Sequence, residues 1–236
     1  MFFYTFDIYY LILAVPAILF SLLAQWKVNS TFKKYSKIRA RRGTTGAQAA
    51  GAILRQNGLY DIGVERVGGR LTDHYDPRKK LIRLSDAVGG ETSVAAVGIA
   101  AHEAGHALQH ATSYGPIRLR QAIIPVTRLG SFLAFPLIIA GLFFMNEALN
   151  DFGPLLINLG ILFFGAAFVF QLVTLPVEFN ASRRALQALE GSNMLDQNEL
   201  VGAQKVLSAA ALTYVAALAV SLAQLLRLLL VFGRRR

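Results

Sequence analysis

Long apolar runs alternate with short polar ones along this chain, and the runs are of membrane length. Residues 8–26 are about nineteen mostly apolar positions with no charge, enough for about 28 Å of helix against a hydrocarbon core of about 30 Å. Residues 1–7 carry no basic residue, so the run reads as a span, not a cleavable leader, with Pro16 a site for a kink. Residues 131–145, 154–175 and 207–232 are the other apolar runs. The shortest borrows turns from 117–130, a helical pattern with Arg118, Arg120 and Arg128 that suits an interfacial entry helix. The last contains Gln224 and Arg227. About four spans follow.

The polar intervals have shorter periods. Thr45 to Gln56 predicts a helix stopped at Gly58. Asp61–Val67, Arg70–Tyr75 and Lys80–Leu84 predict strands around the turns Gly68-Gly69 and Asp76-Pro77. Ser85 to Gly90 reads as a loop. Residues 93–112 predict an alanine-rich helix capped by Thr92 or Ser93. Pro176 starts or kinks the segment 177–189, and Gly191 to Leu195 is a linker. Asp196 and Glu199 have capping-box spacing for a helix running to Phe232. The expected fold is mainly α: a polytopic helical membrane protein with a small α+β subdomain in 27–130. It is expected to be one integral-membrane domain over 1–236, with residues 176–206 returning to the side that carries 27–130.

Composition agrees. The 236 residues are 54% hydrophobic and 16% charged, against about 25% charged in soluble domains. The net charge of +10 does not point to nucleic acid. Seventeen of the 24 Lys and Arg lie between Lys27 and Arg128, where basic residues beside spans set orientation and attract anionic headgroups. No nucleic-acid motif accompanies them. By that rule 27–130 faces the cytoplasm and the acidic 146–153 loop faces out. A complete fourth crossing then puts Arg234 to Arg236 outside, against the rule. Membrane lipid is an expected partner; nucleic acid is not.

There is no cysteine, so thiolate metal sites and disulfides are excluded. The chemistry rests on His102-Glu103-Ala104-Gly105-His106. In H-E-x-x-H on a helix, the two histidines stand one turn apart on one face and reach one metal ion. Glu103 then lies where it can take a proton from an attacking water. As two plain core histidines the segment would leave Glu103 buried without a partner, at a cost of several kcal/mol. His110 is eight residues from His102, about 12 Å along the axis, too far to share a zinc with ligands at about 2.0–2.2 Å. Position 109 is Gln and position 112 is Thr, so the extended three-histidine pattern is absent. A third ligand comes from elsewhere, with His74 and the carboxylates as candidates. Glu178 has two readings from the residues alone: a ligand sharing a helix face with Ser182, or an N-terminal helix carboxylate favoured by the dipole.

Four blocks in order carry a family resemblance: Leu71 to Arg78, the H-E-A-G-H helix, Pro176-Val177-Glu178-Phe179-Asn180-Ala181-Ser182, and Ala211 to Ala217. Together they resemble the YugP-type neutral zinc metallopeptidases of bacterial membranes, over nearly the whole chain. The resemblance implies a zincin-like subdomain of the Glu-zincin type, with Zn²⁺ held by His102, His106 and Glu178 and with Glu103 as general base. It implies a protein or peptide substrate and a bacterial inner-membrane location. More distant relatives, the membrane heat-shock metalloproteases and prenyl-protein endopeptidases, place an Asp where this chain has Ser182. Ser182 or Asn180 is then the candidate for orienting a zinc-bound histidine. His74 lies in a hairpin that suits pairing with substrate backbone. Tyr214 is a candidate oxyanion donor, though a lone Tyr in an apolar helix also suits packing. The alternatives are a non-catalytic zinc-containing membrane scaffold, which would close the metal with four ligands, and a lipid- or partner-binding adaptor using Lys27 to Arg42.

Overall fold

The computed structural model describes residues 7–69, 72–145 and 152–233. It is mainly helical, with a three-stranded sheet, and four helices are long and apolar enough to cross a membrane: Tyr10–Tyr35, Gly115–Phe143, Phe152–Gly191 and Gln197–Phe232. In each one's most apolar stretch only 11 to 22% of positions are buried. Phe132, Leu162, Leu22 and Val126 point outward. So much outward apolar surface is unfavourable in water and suits lipid. This is a helical membrane protein with a small α+β region.

The chain divides into two compact units. The first comprises Met1–Leu23, Leu119–Leu175 and Tyr214–Arg236, and the second Ala24–Arg118 and Pro176–Thr213. The helices are α1 (Val15–Tyr35), α2 (Gly46–Gln56), α3 (Asp86–Gly89), α4 (Val94–Ala111), α5 (Gly115–Phe143), α6 (Phe152–Gly191) and α7 (Gln197–Phe232). At 1.5 Å per residue, the 40 residues of α6 extend about 60 Å, twice a bilayer core. One end of α6 therefore serves the membrane unit and the other serves the second unit.

Within the membrane unit α5 and α6 pack at small residues. A Cβ on Gly160 would stand 2.7 Å from the Ala134 carbonyl oxygen, and one on Gly141 would stand 2.7 Å from that of Gly153. The two backbones touch, as expected where packing, not water expulsion, joins helices. A π-helical turn, Tyr10–Ala14, precedes α1 and leads directly into Pro16, whose missing N–H such a turn accommodates. Arg227, the charge that complicated the last apolar run, is paired. Its Nη2 lies 2.9 Å from Asp7 Oδ2, and its guanidinium sits over the Tyr10 ring at 5.1 Å. Asp7 thus holds the C-terminal turns of α7 beside the start of α1.

The second unit is built around α4 (Val94–Ala111), whose alanines and glycines let neighbours approach closely. Ser93 caps it by accepting from Ala96 N–H. α2 (Gly46–Gln56) packs along it and opens with a capping box between Thr45 and Gln48. Gly58 follows at φ +73°, a left-handed stop. The strands β1 (Gly63–Val67), β2 (His74–Asp76) and β3 (Leu81–Ser85) form a sheet in the order β1-β3-β2. β1 runs parallel to β3, and β2 antiparallel to it. Ile82 and Leu84 of β3 are fully buried. Arg83 reaches Glu65 on one side and Asp76 on the other. Asp73 accepts from the Ser85 N–H and hydroxyl at 2.8 and 3.1 Å, tying the start of the hairpin to its end.

Several expectations are corrected. Ser85 to Gly90 is not a plain loop, because Asp86–Gly89 forms a helical turn, α3. Its Val88 is buried in the core, which a solvent-facing loop would not achieve. Of the strand expected over Arg70–Tyr75, only residues from His74 onward pair; Arg70 and Leu71 lie outside the described residues. Pro176 starts no new helix, since α6 runs through it, as Pro125 and Pro136 sit inside α5. Helices in an apolar surround tolerate such prolines because neighbours satisfy the freed carbonyls. The basic stretch after residue 26 remains helical to Tyr35. Residues 146–151 of the acidic loop and the Arg234–Arg236 tail lie outside the described residues.

Candidate metal centre

The site belongs wholly to the second unit and joins α4 to α6. His102 and His106 are one turn apart, with ring centroids at 4.7 Å. Glu178, only 2% exposed, points at both. Its Oε2 lies 3.2 Å from His102 Nε2 and 3.5 Å from His106 Nε2. A tetrahedral ion with arms of 2.0–2.1 Å has ligand–ligand edges of about 3.3 Å. The two edges that meet at Glu178 therefore have zinc spacing, and two imidazoles with one carboxylate have zinc chemistry. Among the described residues this is the cluster of three such groups, with all ligand atoms within 4.8 Å of one another.

Helix proximity makes the cluster possible. Gly105 stands between the two histidines, and a Cβ there would be 2.4 Å from the Ala181 carbonyl oxygen. With no side chain at 105, the α4 backbone rests on that of α6, and Glu178, three residues before Ala181, comes within reach. Residue 105 was one of the unassigned positions of H-E-x-x-H; its importance depends on which helix lies across it.

Each histidine presents Nε2 to the centre and is held from behind at Nδ1. Ser182 Oγ lies 3.1 Å from His102 Nδ1. Gln109 Oε1 lies 3.0 Å from His106 Nδ1. Gln109 is fully buried, and its Nε2 donates to the Val177 carbonyl at 2.7 Å and to Asn180 Oδ1 at 3.0 Å. Arg184 Nε also donates to Asn180 Oδ1, at 2.8 Å. Among the described residues Asn180 bonds to Gln109 and Arg184, so it reaches His106 through Gln109. Sequence reasoning passed over Gln109, although its i+3 spacing from His106 places it on the same helical face.

The remaining candidates lie elsewhere. His74 is exposed on β2, its Nδ1 2.8 Å from the Thr72 carbonyl. His110 packs edge-on against the Tyr75 ring at 5.5 Å and is not in the cluster. Tyr214 lies on α7 in the membrane unit. Glu103 is buried at 7% exposure and, among the described residues, makes no hydrogen bond or ion pair. Burial disfavours a charged His106, but the Glu178 hydrogen bond and the charges of Glu103 and Glu178 outweigh it and raise its pKa above 6.5. Without an ion, the pocket draws a proton to where positive charge is called for.

A helical membrane protein that gathers two imidazoles and a buried carboxylate at this spacing falls in the class of membrane zinc peptidases. Comparison with known proteins gives the family: the chain belongs to the one described as "Putative neutral zinc metallopeptidase", which matches residues 10–233. The chain is also similar to "Putative membrane protease YugP" of Bacillus subtilis (strain 168), at 51% identity over 223 residues, covering 94% of this chain and 96% of that protein. No solved structure matches it. The family makes the chain a protease with zinc as its metal.

Proposed function

We propose that the protein is an endopeptidase of the Glu-zincin type that cuts membrane or membrane-proximal proteins. His102, His106 and Glu178 hold the zinc, and Glu103 is the general base. The observation that carries this reading is the Glu178 oxygen standing 3.2 and 3.5 Å from the two histidine Nε2 atoms, with Glu103 buried on the same helix. Zinc held there would lower the pKa of water towards neutrality and polarise the scissile carbonyl. Glu103 takes the proton at its carboxylate and returns it to the leaving amine nitrogen. Its charge acts on His106, so the carboxylate lies close to the histidine pair. Ser182 keeps His102 oriented through Nδ1.

Among the described residues three groups gather here, and a zinc held by three protein ligands would keep a position for water or substrate, as catalytic zinc sites do and structural ones do not; this favours the catalytic reading over the scaffold one. β2 is an outer strand of the sheet and packs beside α4. An extended substrate backbone can add to its edge, next to His74. Glu178 follows the last residue of the membrane unit on α6 by three positions, which favours substrates held at the membrane. The basic residues of 27–130 favour the cytoplasmic side of the inner membrane.

The test is zinc content and peptide cleavage for wild type and Glu103→Gln in detergent or liposomes. Zinc retained with cleavage reduced by about 10²–10⁴-fold supports the reading. Glu103→Gln cleaving as wild type does would remove Glu103 from the chemistry. Equal rates on soluble and membrane-tethered forms of one peptide would remove the membrane-substrate assignment.

A further inference from the structure

We infer that Gln109 is a positioning residue that locks the tautomer of His106 and sets the register of the two metal-bearing helices. The inference rests on the zinc-site reading above and adds a residue that reading does not include.

Hydrogen-bond polarity fixes which atom faces which along this network. The Val177 carbonyl can only accept, and Arg184 Nε can only donate. Because Arg184 donates to Asn180, the Asn180 atom facing that junction is its oxygen. The Gln109 group facing both Val177 O and Asn180 Oδ1 must then be its NH₂. Its carbonyl oxygen is left facing His106 Nδ1 at 3.0 Å. A carbonyl only accepts, so Nδ1 carries the proton, and the Nε2 lone pair points at the centre. The order of donors and acceptors from Arg184 to His106 therefore has one solution.

His102 differs. Its Nδ1 faces the Ser182 hydroxyl, which both donates and accepts, so nothing there forces a tautomer. His106 is the locked ligand and His102 the adaptable one. Gln109 also grips the α6 backbone at Val177, the residue before Glu178. One buried side chain on α4 thus fixes a ligand of its own helix and the approach of the ligand from the other. Support of this kind typically contributes about 10–100-fold in metal affinity.

The experiment measures zinc affinity of the full-length protein in detergent by chelator competition, with thermal unfolding of the chelator-stripped form beside it. Gln109→Leu should weaken zinc binding about 10–100-fold. Because Gln109 is fully buried, half-buried Asn180 provides a milder pair. Asn180→Leu removes the oxygen that holds Gln109 and should weaken zinc in the same direction. Asn180→Asp keeps an accepting oxygen for both Gln109 and Arg184 and should restore affinity to within about threefold of wild type. The Co²⁺ visible spectrum should change in Gln109→Leu and Asn180→Leu and stay wild-type in Asn180→Asp. A packing role predicts the opposite pattern: stripped-form stability falls while zinc affinity and the Co²⁺ spectrum do not move, and that result overturns the inference. Asp failing to rescue where Leu fails also overturns it. If wild type binds one zinc but cleaves nothing, the protease mechanism fails while this inference stands. If wild type takes up no zinc, both fall.

Discussion

Gly105→Ala is the sharpest test of how the site is assembled, because two physical effects oppose each other. Judged on the helix alone, alanine should stabilise α4 by about 1 kcal/mol over glycine. Across the helix interface the added Cβ would lie 2.4 Å from the Ala181 carbonyl oxygen and 3.1 Å from its carbonyl carbon. Real contacts of this kind do not fall below 3.0 Å, so α4 and α6 must part by at least about 0.6 Å. Overpacking of this kind costs about 1–3 kcal/mol. Stability should therefore change by between about zero and 2 kcal/mol, in the destabilising direction. The metal site has less slack. Its donors are 3.2 and 3.5 Å apart, and zinc–ligand distances tolerate about 0.2 Å. Moving Glu178 away by three times that tolerance should weaken zinc binding far more than folding, on the order of 10²-fold, the upper end of what lost support around a metal ligand produces. The assay is chelator competition for zinc alongside thermal unfolding. Gly115→Ala serves as control, since nothing lies within 4 Å of a Cβ there. Wild-type zinc affinity in Gly105→Ala would refute the claim that backbone contact between α4 and α6 sets the ligand distances.

Two further outcomes are expected. The Asp7–Arg227 pair is mostly buried, at 17% and 12% side-chain exposure. Removing one charge and leaving the other should therefore destabilise the fold by about 3–5 kcal/mol if the survivor stays dehydrated, read as a lower thermal midpoint in detergent. Asp7→Arg with Arg227→Asp should recover part of this, and a double-mutant cycle with no coupling would remove the pair as a tie between α1 and α7. In zinc-free protein the pKa of His106 is raised, so its share of stability is present below pH 6.5 and is lost as pH rises through the folded value. Zinc must displace the same proton, so zinc affinity should climb over that window while the chelator-stripped midpoint falls. A stripped midpoint that stays flat above pH 6.5, or a slope unchanged in His106→Gln, would contradict this.

Much of the architecture was legible in the residues because it depends on local physics. Four apolar runs of membrane length need internally bonded backbone, and helices supply it. Asp196 and Glu199 form the capping box that their spacing suggested, with bonds of 2.9 and 2.8 Å, since both partners lie within one turn. H-E-x-x-H puts two imidazoles on one face by helical geometry alone. The short α3 and the unbroken α6 at Pro176 were not legible. A four-residue helical turn is held by the burial of Val88, and a proline inside a helix is judged by its surroundings.

By itself, then, the sequence determined a helical membrane protein with two histidines on one face of a helix, because spans and i, i+4 pairs are properties of single segments. Tertiary structure decided what meets that helix. It brought Glu178 to 3.2 Å from His102 across 76 residues of chain, and it gave Gly105 and Gln109 their places against Ala181 and Val177. No pattern within one helix contains those contacts, because they arise only where two backbones lie close enough that one Cβ would separate them.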